Sequence, residues 1–470
     1  MSAPITSTRR HLLVGGLSLL AGAVGLSGCG SVPTRSGGPT RRGGSTRTGG
    51  PTRTSEPSSS AAATAGAAGS KITISFLEAM SSGPQRAALA KLTEDFMRAN
   101  PNIVVELREQ SDQQTLRRRI NVQLAEGRPP TIAEVAEHWA AGYVKAEAIV
   151  PLDSYIADAQ QYEDFYDGVK ADLQLPDGNA WMWPFTKSVD VLYYNADLIG
   201  KPPTSWDDFA KVARSVSQGR SARGTSTGRK VVALTIDPGN AAAPADGTTL
   251  LEIIAQGYGT PVFSADGSPQ FTEPPVTKAL HYLVDLKRAG ALALGSNHPG
   301  RSALADQTGV FDISGVEEYS DTRATIGGRF TLGVAPLPTG PSGRANRLAG
   351  SNLALFAAAD HEQRAAAWKY MQFLTQPEQQ AYLSARTGYL PVCQQATQRA
   401  DYKTNAEKEP FVVGATEQLN IATPLPPVTW VDDCRGFLAV AIRQAVRDGT
   451  DPVVALHAAQ ASAQEARSHR

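Results

Sequence analysis

Residues 71 to 135 constrain the fold more than any other stretch, because their hydrophobic period switches repeatedly between two residues and about four. Ile72, Ile74 and Phe76 alternate with Lys71, Thr73 and Ser75, the pattern of a half-buried strand. Pro84 opens a segment carrying Leu89, Leu92 and Phe96 at helical spacing. Asn100-Pro101 ends it, since a proline disfavours helical geometry in the residue before it. A second strand follows at residues 103 to 107. A second helix, marked by Leu116, Ile120 and Leu124, runs to Gly127, and a third strand covers residues 131 to 135. This order predicts an α/β fold with a parallel sheet wrapped by helices. Ligands of such sheets bind beyond the carboxyl ends of the strands. That rule points to the loops beginning at Glu78, near Gln110 to Asp112, and at Glu137-His138-Trp139.

Further along, residues 181 to 185 and 189 to 194 read as extended segments. Thr204-Ser205-Trp206-Asp207-Asp208 reads as a capped helix start with acids in its first turn. Strands are predicted at residues 231 to 236 and 309 to 313, the latter running into the turn Ser314-Gly315. Helices are predicted at residues 361 to 374, around 437 to 446, and after Pro452.

The first 70 residues have a different character. Arg9-Arg10 precede an apolar run from Leu12 to Leu26, and Leu26-Ser27-Gly28-Cys29 closes it. A basic head, a short apolar run, small residues and then cysteine is the pattern of a bacterial lipoprotein signal. Residues 1–29 are therefore expected to be a leader that ends at a lipidated Cys29 and places the mature chain outside the cytoplasm. Ser7 to Leu13 also resembles a twin-arginine export signal, and a general secretory signal fits equally. Residues 30–70 are almost entirely Gly, Ser, Thr, Pro, Arg and Ala, with Pro-Thr-Arg recurring at 33, 39 and 51. Such a composition buries too little apolar surface to offset chain entropy and reads as a leash. About 40 flexible residues span roughly 30 to 40 Å.

Composition narrows the function. Lysine plus arginine and aspartate plus glutamate each number 45 in 470 residues, so no basic excess points to nucleic acid. The seven histidines show no metal spacing, and no His-Glu-x-x-His or Gly-Lys-Ser/Thr motif occurs. No metal and no cofactor are expected. Gly224-Thr225-Ser226-Thr227-Gly228 matches the nucleophile-elbow pattern, but an elbow needs a strand before it and a helix after it, and the predicted order here is reversed. Besides Cys29 the chain has Cys393 and Cys434, which form either a disulfide or two separate buried thiols.

Several segments from residue 71 onward carry a resemblance. These are Trp183-Pro184-Phe185-Thr186-Lys187-Ser188 with Val191-Leu192-Tyr193-Tyr194-Asn195, Pro203-Thr204-Ser205-Trp206, Gly333-Val334-Ala335-Pro336-Leu337-Pro338, Leu348-Ala349-Gly350-Ser351-Asn352-Leu353 and Thr387-Gly388-Tyr389-Leu390-Pro391-Val392. In this order they resemble the extracytoplasmic solute-binding proteins (family 1) of carbohydrate-type ABC importers, and among them the glycerol-3-phosphate and glycerophosphodiester binders. The resemblance implies a two-lobed periplasmic-binding-protein fold of type II, with a ligand cleft between lobes and crossing strands at the hinge. It implies one lobe from 71–188 and 315–375 and another from 189–314 and 376–470, with crossings near Ser188 to Val191, at Ser314, and near Leu374 to Gln376. It further implies a monomer that does no chemistry, captures a small polyhydroxy ligand and delivers it to ABC permease subunits, touching the membrane only through its lipid. A secreted carbohydrate-active hydrolase and a non-transport envelope lipoprotein are the alternatives.

Site residues carried over from the resemblance are Glu137 as a cleft carboxylate, Ser188 as a hinge hydroxyl, Ser314 and Gly350 as points of close approach, and Tyr389 as a hydroxyl for the ligand's polar head. Two departures bear on the ligand. Where the phosphate binders carry an arginine, this chain has Trp430-Val431, with Arg435 beyond, and where a tyrosine is common it has Asp112. Trp430 as a stacking platform and Asp112 as an added carboxylate suit a neutral sugar better than a phosphate.

Overall fold

The computed structural model describes residues 71–220 and 231–469. The leader with Cys29, the 30–70 leash and the Gly224 to Gly228 turn lie outside the described residues. The strands are β1 (Ile72–Glu78), β2 (Ile103–Glu109), β3 (Ile132–Val135), β4 (Trp183–Asn195), β5 (Leu234–Ile236), β6 (Gly239–Asn240), β7 (Ala243–Pro244), β8 (Leu292–Leu294), β9 (Phe311–Gly315), β10 (Leu332–Pro336), β11 (Asn346–Leu355) and β12 (Ala422–Thr423). Ten of them join in one sheet, eight along the path β2-β1-β3-β11-β4-β9-β5-β8, with β10 on β4 and β12 on β11, while β6 and β7 pair alone. β1 runs parallel to β2 and β3, as the alternating pattern predicts.

Local chemistry explains the helix starts. Ser82, Asp112 and Ser205 each accept a backbone N–H as N-caps, and Asp360 forms a full capping box with Gln363. Trp206 to Ser217 then presents Trp206, Phe209, Ala213 and Val216 to the core.

β4 is the centre of the molecule. Its first half pairs antiparallel with β11 (Leu348 opposite Val189, Gly350 opposite Lys187), and its second half pairs with β9 and β10. Two hydrophobic cores meet along it, with Val191 and Tyr193 in one and Leu192 and Tyr194 in the other. Where β11 diverges, the buried Asn346 side chain takes over as partner. Its amide donates to the Asp190 carbonyl at 2.8 Å and accepts from the Asp190 N–H at 3.1 Å, so the crossing leaves that peptide satisfied.

The chain division differs from the expected one. Residues 381 to 422 contribute Ala381, Leu390, Val392, Tyr402 and Leu419 to the first core, whereas Ala335, Leu337 and Ala345 belong to the second. The last passage between cores falls between Ala422 and Leu425, not at Leu374 to Gln376, because the helix Pro377–Thr387 packs against the helix Gly83–Ala99. Cys393 sits in the first core and Cys434 in the second, and both are free thiols, so the disulfide option fails.

Gly350 has φ +107, and a Cβ there would stand 2.1 Å from the Thr186 carbonyl oxygen. Its role is therefore close strand packing at the crossing. Gly350→Ala should destabilise the protein by roughly 2 to 4 kcal/mol, from backbone strain plus overpacking. Gly83→Ala, which meets nothing within 4 Å, should leave the urea midpoint nearly unchanged.

Candidate functional site

Burial along β4 is continuous except at one residue, Asp190, which is partly buried where the cores part. Around it the fold gathers carboxyls from several elements. Asp312 comes from β9, Glu317 from the turn after it, and Asp246 from the start of the helix Asp246–Gly257. Burial, reinforced by the charges of Asp246, Glu317 and Asp312, pushes Asp190 up to about 8. Burial raises Asp312 to about 6 against the pull of the Ser314 hydroxyl, and it also raises Glu317. On the first-core side, burial raises Glu134 and lifts Glu78 to about 7, with the Glu134 charge adding to the latter. Asp190, Asp312 and Glu78, held at these values, are partly protonated near neutral pH and can both donate to and accept from hydroxyl groups.

The expected site residues distribute unevenly around this centre. Ser188 is fully buried next to the crossing and donates its hydroxyl to Glu317. Ser314 is buried and donates to Asp312 at 3.0 Å. Tyr389 follows the left-handed Gly388, and its loop is pinned where the Leu390 N–H donates to the Lys187 carbonyl at 2.7 Å. Burial and the charges of Glu317 and Glu134 raise the Tyr389 phenol. Glu137 begins the helix Glu137–Lys145 directly after β3. Burial opposes its ionisation, but hydrogen bonding to His138 and the charges of His138 and Lys187 prevail and hold it below the usual carboxylate range. Gly350 is exposed on β11 opposite Lys187, at the crossing itself.

Two expected residues are engaged elsewhere. Asp112 is exposed and caps the helix Gln113–Ala125, accepting from the Thr115 N–H at 2.8 Å. Bonds from Ser111 and Thr115 hold it at about 2. Trp430 donates its indole N–H to the Gly267 carbonyl at 3.0 Å and carries Arg467 over its ring, which commits it to packing within the second lobe. Asp312, Glu317, Asp246 and Glu134 were not singled out from the sequence. Lone acids carry no periodic signal, and only the fold brings them together.

The arginines and lysine nearby are already paired. Buried Glu252 holds Arg435 at 2.7 Å and Arg347 at 2.8 Å. Arg301 pairs with Glu318, and Arg117 with Asp432 at 2.9 Å. Lys187 is buried against Asp172 and donates to Asn352 at 2.8 Å. Arg435, the arginine that follows Trp430-Val431 in the chain, also donates to Thr249 at 2.8 Å.

The profile of bacterial extracellular solute-binding proteins matches residues 91–410. The chain belongs to that family. A periplasmic sn-glycerol-3-phosphate-binding protein, UgpB of Yersinia enterocolitica, is 23% identical over 327 residues, covering 64% of this chain and 70% of that protein. Among solved structures, Mycobacterium tuberculosis UgpB in complex with glycerophosphocholine superposes with a TM-score of 0.72 at 21% identity, over 84% of this chain and 98% of that one. A cyclic α-maltosyl-1,6-maltose binding protein from Arthrobacter globiformis gives 0.73 at 19% identity, over 84% and 99%. These likenesses establish the two-lobed solute-binding fold.

The Asp190 environment makes a direct prediction for this solute-binding protein. Its folded value of about 8 exceeds the ordinary 3.8, so its ionisation costs nothing below about pH 4 and its full penalty above about pH 8. Asp190→Asn should stabilise the empty protein by roughly 1 to 3 kcal/mol at pH 9 and leave it unchanged at pH 4, read from urea unfolding at the two pH values.

Proposed function

We propose that this chain is the lipid-anchored receptor of an ABC importer, capturing a small neutral polyhydroxy solute between its lobes and presenting it to the permease. The observation that carries this reading is the cleft around Asp190. It offers carboxyl, hydroxyl and phenol groups, while Arg301, Arg347, Arg435 and Lys187 are already paired with acids. Sugar hydroxyls match partly protonated carboxyls as donors and acceptors alike, whereas a phosphomonoester would meet like charge. Family membership supports the receptor role, and the solutes named for the Yersinia, Mycobacterium and Arthrobacter relatives supply the classes to test. The anchor rests on the Leu26-Ser27-Gly28-Cys29 sequence. On this reading the cleft binds and releases its solute unchanged.

Isothermal calorimetry against maltose, trehalose, glycerophosphocholine and glycerol-3-phosphate tests the proposal. A neutral sugar should bind and raise the melting temperature by mass action, and glycerol-3-phosphate should not. Glu137→Gln and Tyr389→Phe should each weaken binding about tenfold or more, with little change in stability. Preferential binding of glycerol-3-phosphate would refute the assignment of ligand charge. Release of free sugar or alcohol from any of these compounds would replace the receptor with an enzyme.

A further inference from the structure

Opposite sides of the cleft are bridged by one carboxylate. Asp432 stands in the first turn of the helix Val431–Val446, which packs into the second core. Its Oδ2 lies 2.9 Å from an Arg117 guanidinium nitrogen and 3.3 Å from His138 Nε2. Arg117 belongs to the helix Gln113–Ala125 and His138 to Glu137–Lys145, both packed on the first core. The other ring nitrogen of His138, Nδ1, lies 3.4 Å from Glu137 Oε1. The His138 side chain is only 13% exposed and its ring packs edge-on against Trp139. Arg117 also lies over the Trp139 ring, which holds the guanidinium in place.

We propose that Asp432, His138 and Arg117 form a charge latch that closes the lobes, with His138 as a positioning residue that links Glu137 to closure and makes closure depend on proton binding. The inference rests on the receptor reading, in which closure over the solute is the working step. A histidine between two carboxylates donates from both ring nitrogens only when it is protonated. The charged groups facing it are Glu137 on its own helix, Asp432 from the second lobe, and Arg117 sharing Asp432. Arg435 stands near Asp432 and Glu137 but is occupied by Glu252, and Lys187 is near Glu137 but is occupied by Asp172.

Burial disfavours the charged ring, but the bonds to Asp432 and Glu137 and their charges outweigh it and lift His138 to about 9. Opening removes Asp432, so the open form holds the proton less tightly. Closure is then favoured fully below the open-state value and loses this contribution as pH rises through about 9. The latch also explains why Glu137 stays ionised in a buried position, since its counter-charge is the same imidazolium that reaches across the cleft.

Double electron–electron resonance on the ligand-free full chain tests this. Spin labels at Arg119→Cys and Ala265→Cys, one on each lobe, in a Cys29→Ser background avoid the buried Cys393 and Cys434. The closed-to-open ratio should fall about tenfold between pH 6 and pH 9.5. His138→Gln should abolish that pH response, and Arg117→Gln should lower the closed population at every pH while keeping the response. An identical distance distribution at both pH values, or an unchanged response in His138→Gln, would overturn the latch. If His138→Gln fails to fold, as judged by circular dichroism, Asp432→Asn takes its place and must likewise flatten the response. The readout uses no solute, so a wrong ligand class leaves it intact, and a failed latch leaves the calorimetric assignment standing.

Discussion

A single strand, Trp183–Asn195, serves two hydrophobic cores, and the rest of the molecule is arranged around that sharing. Successive residues at its far half face different cores, Val191 and Tyr193 one way and Leu192 and Tyr194 the other. The near half is locked just before the crossing, where Lys187, Asp172 and Asn352 form a buried network of ion pair and amide bonds. Replacing one partner of such a network strands the others, so this side of the hinge is stiff. Beyond it, the Tyr193 hydroxyl donates to the Gly315 carbonyl at 2.9 Å and ties the second crossing to the first. Asp190 is the one residue of the strand that is not fully buried, which makes the place where the cores part also the place where its ligand chemistry can be reached.

The carboxyls around Asp190 are held there at a cost to stability. Burial, together with the charge of Asp246, raises Asp190, Asp312 and Glu317, and each ionisation costs folding free energy. Hydroxyl donors from a ligand relieve part of that cost, which turns a destabilised site into affinity. A micromolar complex needs roughly 8 kcal/mol, within reach of several such bonds after ordering costs. The arginine pair on Glu252 shows the opposite design, since its charges are matched by a buried carboxylate.

Much of the fold is legible in the chain because it is periodic. The alternation from Ile72 to Val135, the caps Ser82 and Ser205, and the stop at Asn100-Pro101 are local signals, and the structure follows them to within a few residues. The helix Glu137–Lys145 is less legible, since a short helix after a strand looks like a loop until its packing is known. The assignment of residues 381 to 422 to the first core depends on contacts with the helix Gly83–Ala99, roughly 300 positions earlier, and no local pattern encodes it. The site divides the same way. Glu137, Ser188, Ser314 and Tyr389 fall near the crossing, whereas the structure gives Asp112 a helix cap and Trp430 a bond to the Gly267 carbonyl, roles that a loop acid and a loop aromatic serve as readily as ligand contact. The sequence points to His138 only as part of a loop after the third strand, and its meeting with Asp432 across the cleft has no local signal.

The most direct test of the account is a crystal structure of the protein with the tightest-binding neutral sugar from the calorimetric panel. The account predicts a closed cleft with sugar hydroxyls in hydrogen-bond reach of Asp190, Glu317 and Glu137, and with Arg435 still on Glu252. A sugar bound away from Asp190, or a cleft that opens Arg435 from Glu252 to receive the ligand, would contradict it.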